Sequence, residues 1–264
     1  MRVWFLILLL SLSPLLLAEP TVIQMGDGQV DGLLIRAYQQ VWRQCSFKEG
    51  EWVDGGTFTE TAIEVKDGQR LLRVEQGTER PDGTRSYTIV HFDRSTLSPL
   101  LMETRVHDSN DKEVGSTNYV LTADGYVGQL VRGKDTQDVA GSAVTSDQFL
   151  GSNFGLVLAT LNPEEDFPLE LPASMIRFDA GYRVIASVAG RETLDMPHGP
   201  VQSWMIDVEW HHLELGDIYP GGPDASGGRY WIVPNPPAGV PYVPRYKTDT
   251  YAVEFIPGTC PKTD

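Results

Sequence analysis

The chain has 264 residues, with 21 basic and 36 acidic side chains and a formal net charge of −15. Such acidity repels nucleic acid and anionic membrane surfaces, and it bears on solubility rather than on any one site. With only two cysteines, Cys45 and Cys260, far apart in the chain, a structural zinc site built of thiolates is excluded.

Residues 1–18, MRVWFLILLLSLSPLLLA, have the pattern of a cleavable secretory signal. Arg2 supplies the positive start, Val3 to Leu17 the apolar run, and small Ala18 precedes the expected cut. The run is short for a membrane anchor and is followed by acidic Glu19; no later stretch is apolar enough to span a bilayer. Removal of Arg2 leaves 20 basic against 36 acidic groups, a net of −16. No cysteine stands at the new N-terminus, so lipoprotein modification is not expected. The mature chain, 19–264, is expected to be periplasmic or secreted, and about 245 residues can bury a full core in one domain. In an oxidising compartment Cys45 and Cys260 are expected to form a disulfide pinning the C-terminus to the N-terminal region; the alternative is two buried thiols. Closing so long a loop stabilises by at most about 4–5 kcal/mol in the chain-entropy account.

Glu19–Gln29 reads as a loose lead-in. Val30, Leu33, Leu34, Ala37, Tyr38, Val41, Trp42 and Cys45 then follow helical spacing, with Asp31 near the start and Arg43 near the end as the helix dipole prefers. This predicts an amphipathic helix over Asp31–Gln44, the alternative being a strand through Leu34–Trp42.

From Gly55 the period becomes two. Thr57–Val65, Gln69–Gly77, Thr84–Phe92, Pro99–His107, Val114–Thr122 and Tyr126–Arg132 read as six successive strands. Asp67-Gly68, Pro81-Asp82-Gly83 and Asp124-Gly125 supply hairpin chemistry, and Asp108–Asp111 supplies another turn. Strands so linked make an antiparallel meander rather than a βαβ fold. Thr145–Leu161 reads as a second helix, with Thr145 and Gln148 at capping-box spacing, an apolar stripe through Leu150, Phe154, Val157, Leu158 and Leu161, and Pro163 as a stop. Gly151 and Gly155 each cost about 1 kcal/mol there against Ala, which points to close backbone packing. Asn162–Pro172 reads as a polar link.

Gly181–Pro257 carries four or five extended runs. In Val201–Trp210 the even positions Trp204, Ile206, Val208 and Trp210 form an apolar face, while Asp207 and Glu209 lie on a wetted one. The stretches HFDRSTLSPLLMETR (His91–Arg105), GYRVIASVAGRETLDMPHGPVQSWMIDV (Gly181–Val208) and RYWIVPNPPAGVPYVPRY (Arg229–Tyr246) fall in an order of signal, helix, meander, central helix and long strands. That layout, over most of the mature chain, resembles the LolA/LolB-like half-barrel superfamily of outer-membrane lipoprotein carriers, and especially its uncharacterised periplasmic members. The resemblance implies a single curved antiparallel sheet with one or two helices on its concave face, and a concave face that holds acyl chains or another hydrophobic ligand. No lipid-contacting residue of the carriers has a matching position here, so none is carried over.

None of the common catalytic or nucleotide motifs is present, and no cofactor or metal site is expected. Asp108-x-Asn110 begins like a calcium loop, but Lys112 stands where an oxygen ligand is needed, so it reads as a hairpin turn. Asp207, Glu209 and His211 share a strand face and are the acid/base or metal candidates; the competing reading is an acidic, wetted outer face. Trp204, Trp210, Tyr230, Trp231, Tyr242 and Tyr246 are candidates for a ligand wall or for plain core. The ligand-binding set expected from this is Trp204, Trp210, Tyr230 and Trp231 with Phe154 and Leu158 of the central helix. The reading is therefore an exported, non-catalytic protein that binds a lipid or other hydrophobic molecule. An envelope protein docked through the sheet and a glycan-acting hydrolase or lyase are the alternatives.

Overall fold

Side-chain alternation at a period of two governs most of the chain, and the result is one large, curved, open sheet. The structure, a computed structural model, describes residues 19–67, 69–214, 227–255 and 259–262. The expected signal segment and Gly68 lie outside the described residues.

A first meander runs β2 (Tyr38–Lys48), β3 (Glu51–Asp67), β4 (Gln69–Glu79), β5 (Arg85–Asp93), β6 (Pro99–His107), β7 (Glu113–Thr122), β8 (Gly125–Arg132) and β9 (Asp135–Gly141). A second runs β11 (Leu169–Met175), β12 (Ala180–Met196), β13 (Gly199–His212), β14 (Gly227–Ile232), β15 (Arg245–Lys247) and β16 (Tyr251–Phe255). They join where the C-terminal strand β16 pairs antiparallel with β2, from Tyr251 opposite Ser46 to Phe255 opposite Trp42. Two short parallel strands, β1 (Thr21–Val22) and β10 (Phe149–Leu150), cover the free edge of β11. The opposite edge, β9, carries Asp135 and Asp138, and charge on an edge blocks pairing with other chains.

The predicted meander strands are all found, with ends moved by a few residues. In the two described Asp-Gly turns the glycine alone takes positive φ, +80° at Gly83 and +140° at Gly125. The Asp108 carboxylate accepts from the backbone N–H of Asn110 and Lys112 (2.9 and 3.1 Å), so this loop is a hairpin turn as expected. Strand β9 carries little sequence signal because DTQDVAG has a single large apolar residue, Val139, and so no apolar alternation.

The helix expected over Asp31–Gln44 does not form. A single 3-10 turn, Gly32–Leu34, is capped by Asp31, whose carboxylate accepts from the Leu33 N–H (2.9 Å), and Tyr38 already begins β2. Leu33 and Leu34 are exposed. The misleading signal has a simple origin: residues four apart share a face in a strand as well as in a helix. Tyr38 and Trp42 satisfy both periods, and ladders to β3 and β16 decide for the strand.

The central helix is shorter than its stripe. Only α1 (Phe154–Ala159) is α-helical, after β10 and a 3-10 turn over Gly151–Asn153. Gln148 Oε1 does accept from the Thr145 N–H (3.1 Å), but this closes a turn and not a helix start. Edge pairing of Phe149 and Leu150 with β11 claims the residues that follow. All six residues of α1 are buried, as expected for a helix apolar on every side. Gly155 permits this: a Cβ there would lie 2.8 Å from Val243 Cγ2 and 3.1 Å from Tyr230 Cε1. The expected polar link, Asn162–Pro172, runs straight into β11, whose Leu169, Leu171 and Ala173 are fully buried.

Cys45 and Cys260 are disulfide-bonded, with Cα atoms 5.6 Å apart. Among the described residues no helix is long and apolar enough to cross a membrane.

Candidate functional site

The concave face is furnished by alternate residues of the strands on both sides of the β16–β2 seam. From β2 and β3 come the cross-strand pair Trp42 and Phe58, ring centroids 5.5 Å apart, and Phe255 of β16 meets Trp42 at 6.0 Å. From β13 and β14 come Trp210 and Tyr230, and Phe154 of α1 packs against both, at 5.1 and 6.3 Å. Tyr230 is stacked on Tyr246 of β15 at 4.4 Å, and Tyr251 follows at 6.3 Å. Between these groups lies a cavity of about 330 Å³, roofed by Gly151–Leu156 and walled by Trp42, Phe58, Trp210, Tyr230, Tyr246 and Tyr251. That is the lower end of the usual size of small-molecule sites, which are mostly apolar with a few placed polar groups.

The polar groups sit together. Glu60 follows Phe58 on the same face of β3 and is buried. The Tyr38 hydroxyl donates to Glu60 Oε1, and Gln76 Nε2 donates to Oε2 (2.7 Å) and to the Ser152 carbonyl (3.2 Å). Burial raises the Glu60 carboxyl above the ordinary carboxylate range, opposed by the hydrogen bonds from Gln76 and Tyr38. Burial, and then the charge of Glu60, push the Tyr38 phenol well above its usual value. Asn153, also on the cavity wall, is 5% exposed, and its amide nitrogen has no hydrogen-bond partner; neither has the buried Gln40 Oε1, opposite Glu60 on β2. Unpartnered buried amides are uncommon and call for an explanation.

The six residues expected to bind ligand are dispersed. Trp210 and Tyr230 line the cavity, with Phe154 wedged behind them. Leu158 is fully buried in the main core. Trp204 is half-buried under the Arg191 guanidinium, 3.8 Å above its ring, beside a separate pocket that includes Leu34 and Thr160. Trp231 faces the other side of the sheet, where its Nε1–H donates to Glu192 (2.7 Å) and Arg245 lies over its ring at 4.9 Å.

Glu60, Gln76, Asn153, Trp42, Phe58 and Tyr251 were not singled out in the sequence. The available signal was Phe58-x-Glu60-x-Ala62, a carboxylate at an apolar position of an alternating strand.

Asp207, Glu209 and His211 share the outer face of β13 as expected. Asp207 is held by both Nε and Nη2 of Arg229 (2.5 and 2.8 Å), and His211 Nε2 lies 3.6 Å from Glu209 Oε2. His212, on the inner face, accepts from the Glu214 N–H at 3.1 Å. Among the described residues no group of three His, Cys, Asp or Glu side chains is placed to hold a metal ion.

No family model and no curated protein matches the chain. Among solved structures it is similar to the crystal structure of a β-barrel-like protein of the domain of unknown function DUF1849 from Brucella abortus. The match has 8% identity, covers 83% of this chain and 95% of that one, and has a TM-score of 0.49.

Proposed function

We propose that this is an exported, non-catalytic protein whose concave sheet face holds a hydrophobic ligand, in the manner of the LolA/LolB-like carriers that its layout resembles. The observation that carries this reading is the cavity of about 330 Å³ between the helix and the two meanders, walled by six aromatic side chains. Export rests on the signal-like residues 1–18 and agrees with the Cys45–Cys260 bond, since disulfides persist in oxidising compartments. A single domain, 19–264, fits the β16–β2 seam, which ties the last strand into the first meander.

The test is native mass spectrometry of protein purified from the exported fraction, with organic extraction of what co-purifies. A stoichiometric lipid-like adduct in the wild type, lost in Val253→Phe, whose larger side chain projects into the cavity, is the expected result. A clean apo mass together with no uptake of offered lipids would refute the reading and favour protein docking.

A further inference from the structure

The walls and the polar end of the cavity point to the chemical class of its occupant; the inference rests on the binding reading above. Glu60 is a buried carboxyl whose two oxygens already accept hydrogen bonds, one from Tyr38 and one from Gln76. Those donors favour the ionised form, whereas burial, the larger effect, raises the carboxyl and disfavours it. Yet among the described residues no Lys, Arg or His offsets its charge. Buried carboxylates are ordinarily paired, so Glu60 lacks the partner that burial demands.

The adjoining surface suits a cation. Trp42 and Phe58 form the cross-strand pair next to Gln40 and Glu60 in the β2–β3 ladder, so Phe58 and Glu60 share a face with backbone positions about 7 Å apart along β3. Tyr230, Tyr246 and Tyr251 complete the aromatic wall opposite. Glu60, Trp42 and Phe58 line the same cavity, so a positive group seated between the carboxyl and these rings can come within the ~6 Å at which aromatic faces attract cations. The buried Gln40 Oε1, opposite Glu60 in the ladder, is an acceptor without a hydrogen-bond partner and adds partial negative charge at the same end. An anionic head such as a fatty-acid carboxylate would instead meet a like charge in a low dielectric.

We infer that the cavity selects an amphipathic cation, an ammonium group bearing an apolar chain, with the ammonium against Glu60 and the Trp42–Phe58 pair and the chain along the tyrosine wall.

The test is calorimetric titration of the mature, oxidised protein with decyltrimethylammonium, decanoate and decanol, each below its micelle concentration. The expected order is the ammonium first, by about tenfold over decanol, with decanoate weakest. Glu60→Gln should reduce ammonium affinity about tenfold and leave decanol unchanged, and Phe58→Leu should narrow the ammonium-to-decanol ratio while preserving an apolar wall. Equal affinities for all three, or a preference for decanoate that survives Glu60→Gln, would overturn the charge assignment while leaving a hydrophobic site in place. Binding of none of the three would refute both this inference and the carrier reading. If Glu60→Gln does not fold, the wild-type order and Phe58→Leu still decide.

Discussion

Cys45 lies on β2 opposite Ala252 of β16, and its disulfide partner Cys260 stands five residues beyond the end of β16. The bond thus fastens the seam between the two meanders, the one ladder that joins the end of the chain to its first long strand. The bonded residues are 215 apart in sequence, so the cross-link constrains almost the whole unfolded chain.

Breaking that bond should cost much of the stability. A Cys45→Ser, Cys260→Ser double variant is expected to lose up to about 5 kcal/mol in the chain-entropy account, measured as a lower urea midpoint. In the wild type, alkylation of the unfolded, unreduced protein should add no mass; two added groups would disprove the pairing.

Glu60 should make stability pH-dependent. Its folded pKa is raised, chiefly by burial, so the folded chain holds this proton more tightly than the unfolded chain does. The associated stability is fully present below the unfolded value, about pH 4, and is lost as pH rises through the higher folded value. Glu254 shifts in the same direction, also through burial, so the contribution of Glu60 is isolated by comparison with Glu60→Gln. Wild type should lose stability relative to the variant as pH rises from about 4 to 7. A difference constant across that range would remove the basis for this prediction.

Arg94 should prove structural despite its charge. It is 6% exposed, and its Nη2 donates to the carbonyls of Ile35 (2.6 Å) and Leu33 (3.2 Å), holding the 3-10 turn against the β5–β6 turn. Arg94→Met keeps the stem but strands those carbonyls, at an expected cost of about 1–3 kcal/mol by denaturant titration. Asp93, whose carboxylate accepts from Ser95 and Thr96, keeps the neighbouring turn, so strand β6 should retain its hydrogen-exchange protection.

The helix should tolerate neither loss nor gain of volume. Phe154→Ala empties a fully buried site between Trp210 and Tyr230, at about 3–5 kcal/mol. Gly155→Leu forces a side chain into Val243 and Tyr230, costing about 1–3 kcal/mol through overpacking. Urea unfolding of both variants separates the two effects from a general loss of helix propensity, which favours Leu over Gly.

Strands, turns and the cysteine pairing were legible in the amino-acid order because each depends on local chemistry. Alternation marks a half-buried strand, glycine accepts the left-handed turn, and two cysteines in a chain have only each other to pair with. The Phe58-x-Glu60 pattern lies in the same alternation, but nothing local tells a buried carboxylate from a wetted one. The tertiary structure alone decided the rest. Trp42 satisfied helix and strand spacing equally, and only pairing with β3 and β16 chose between them. Tyr230 and Trp231 are both large aromatics on adjacent positions of β14, and nothing local says which faces the cavity. Strand adjacency is likewise non-local: β16 against β2, and β1 and β10 along β11, follow from how a twisted sheet covers its own apolar face. Glu60 became a candidate ligand contact because those pairings buried it beside an aromatic wall, with no cation among the described residues to meet it.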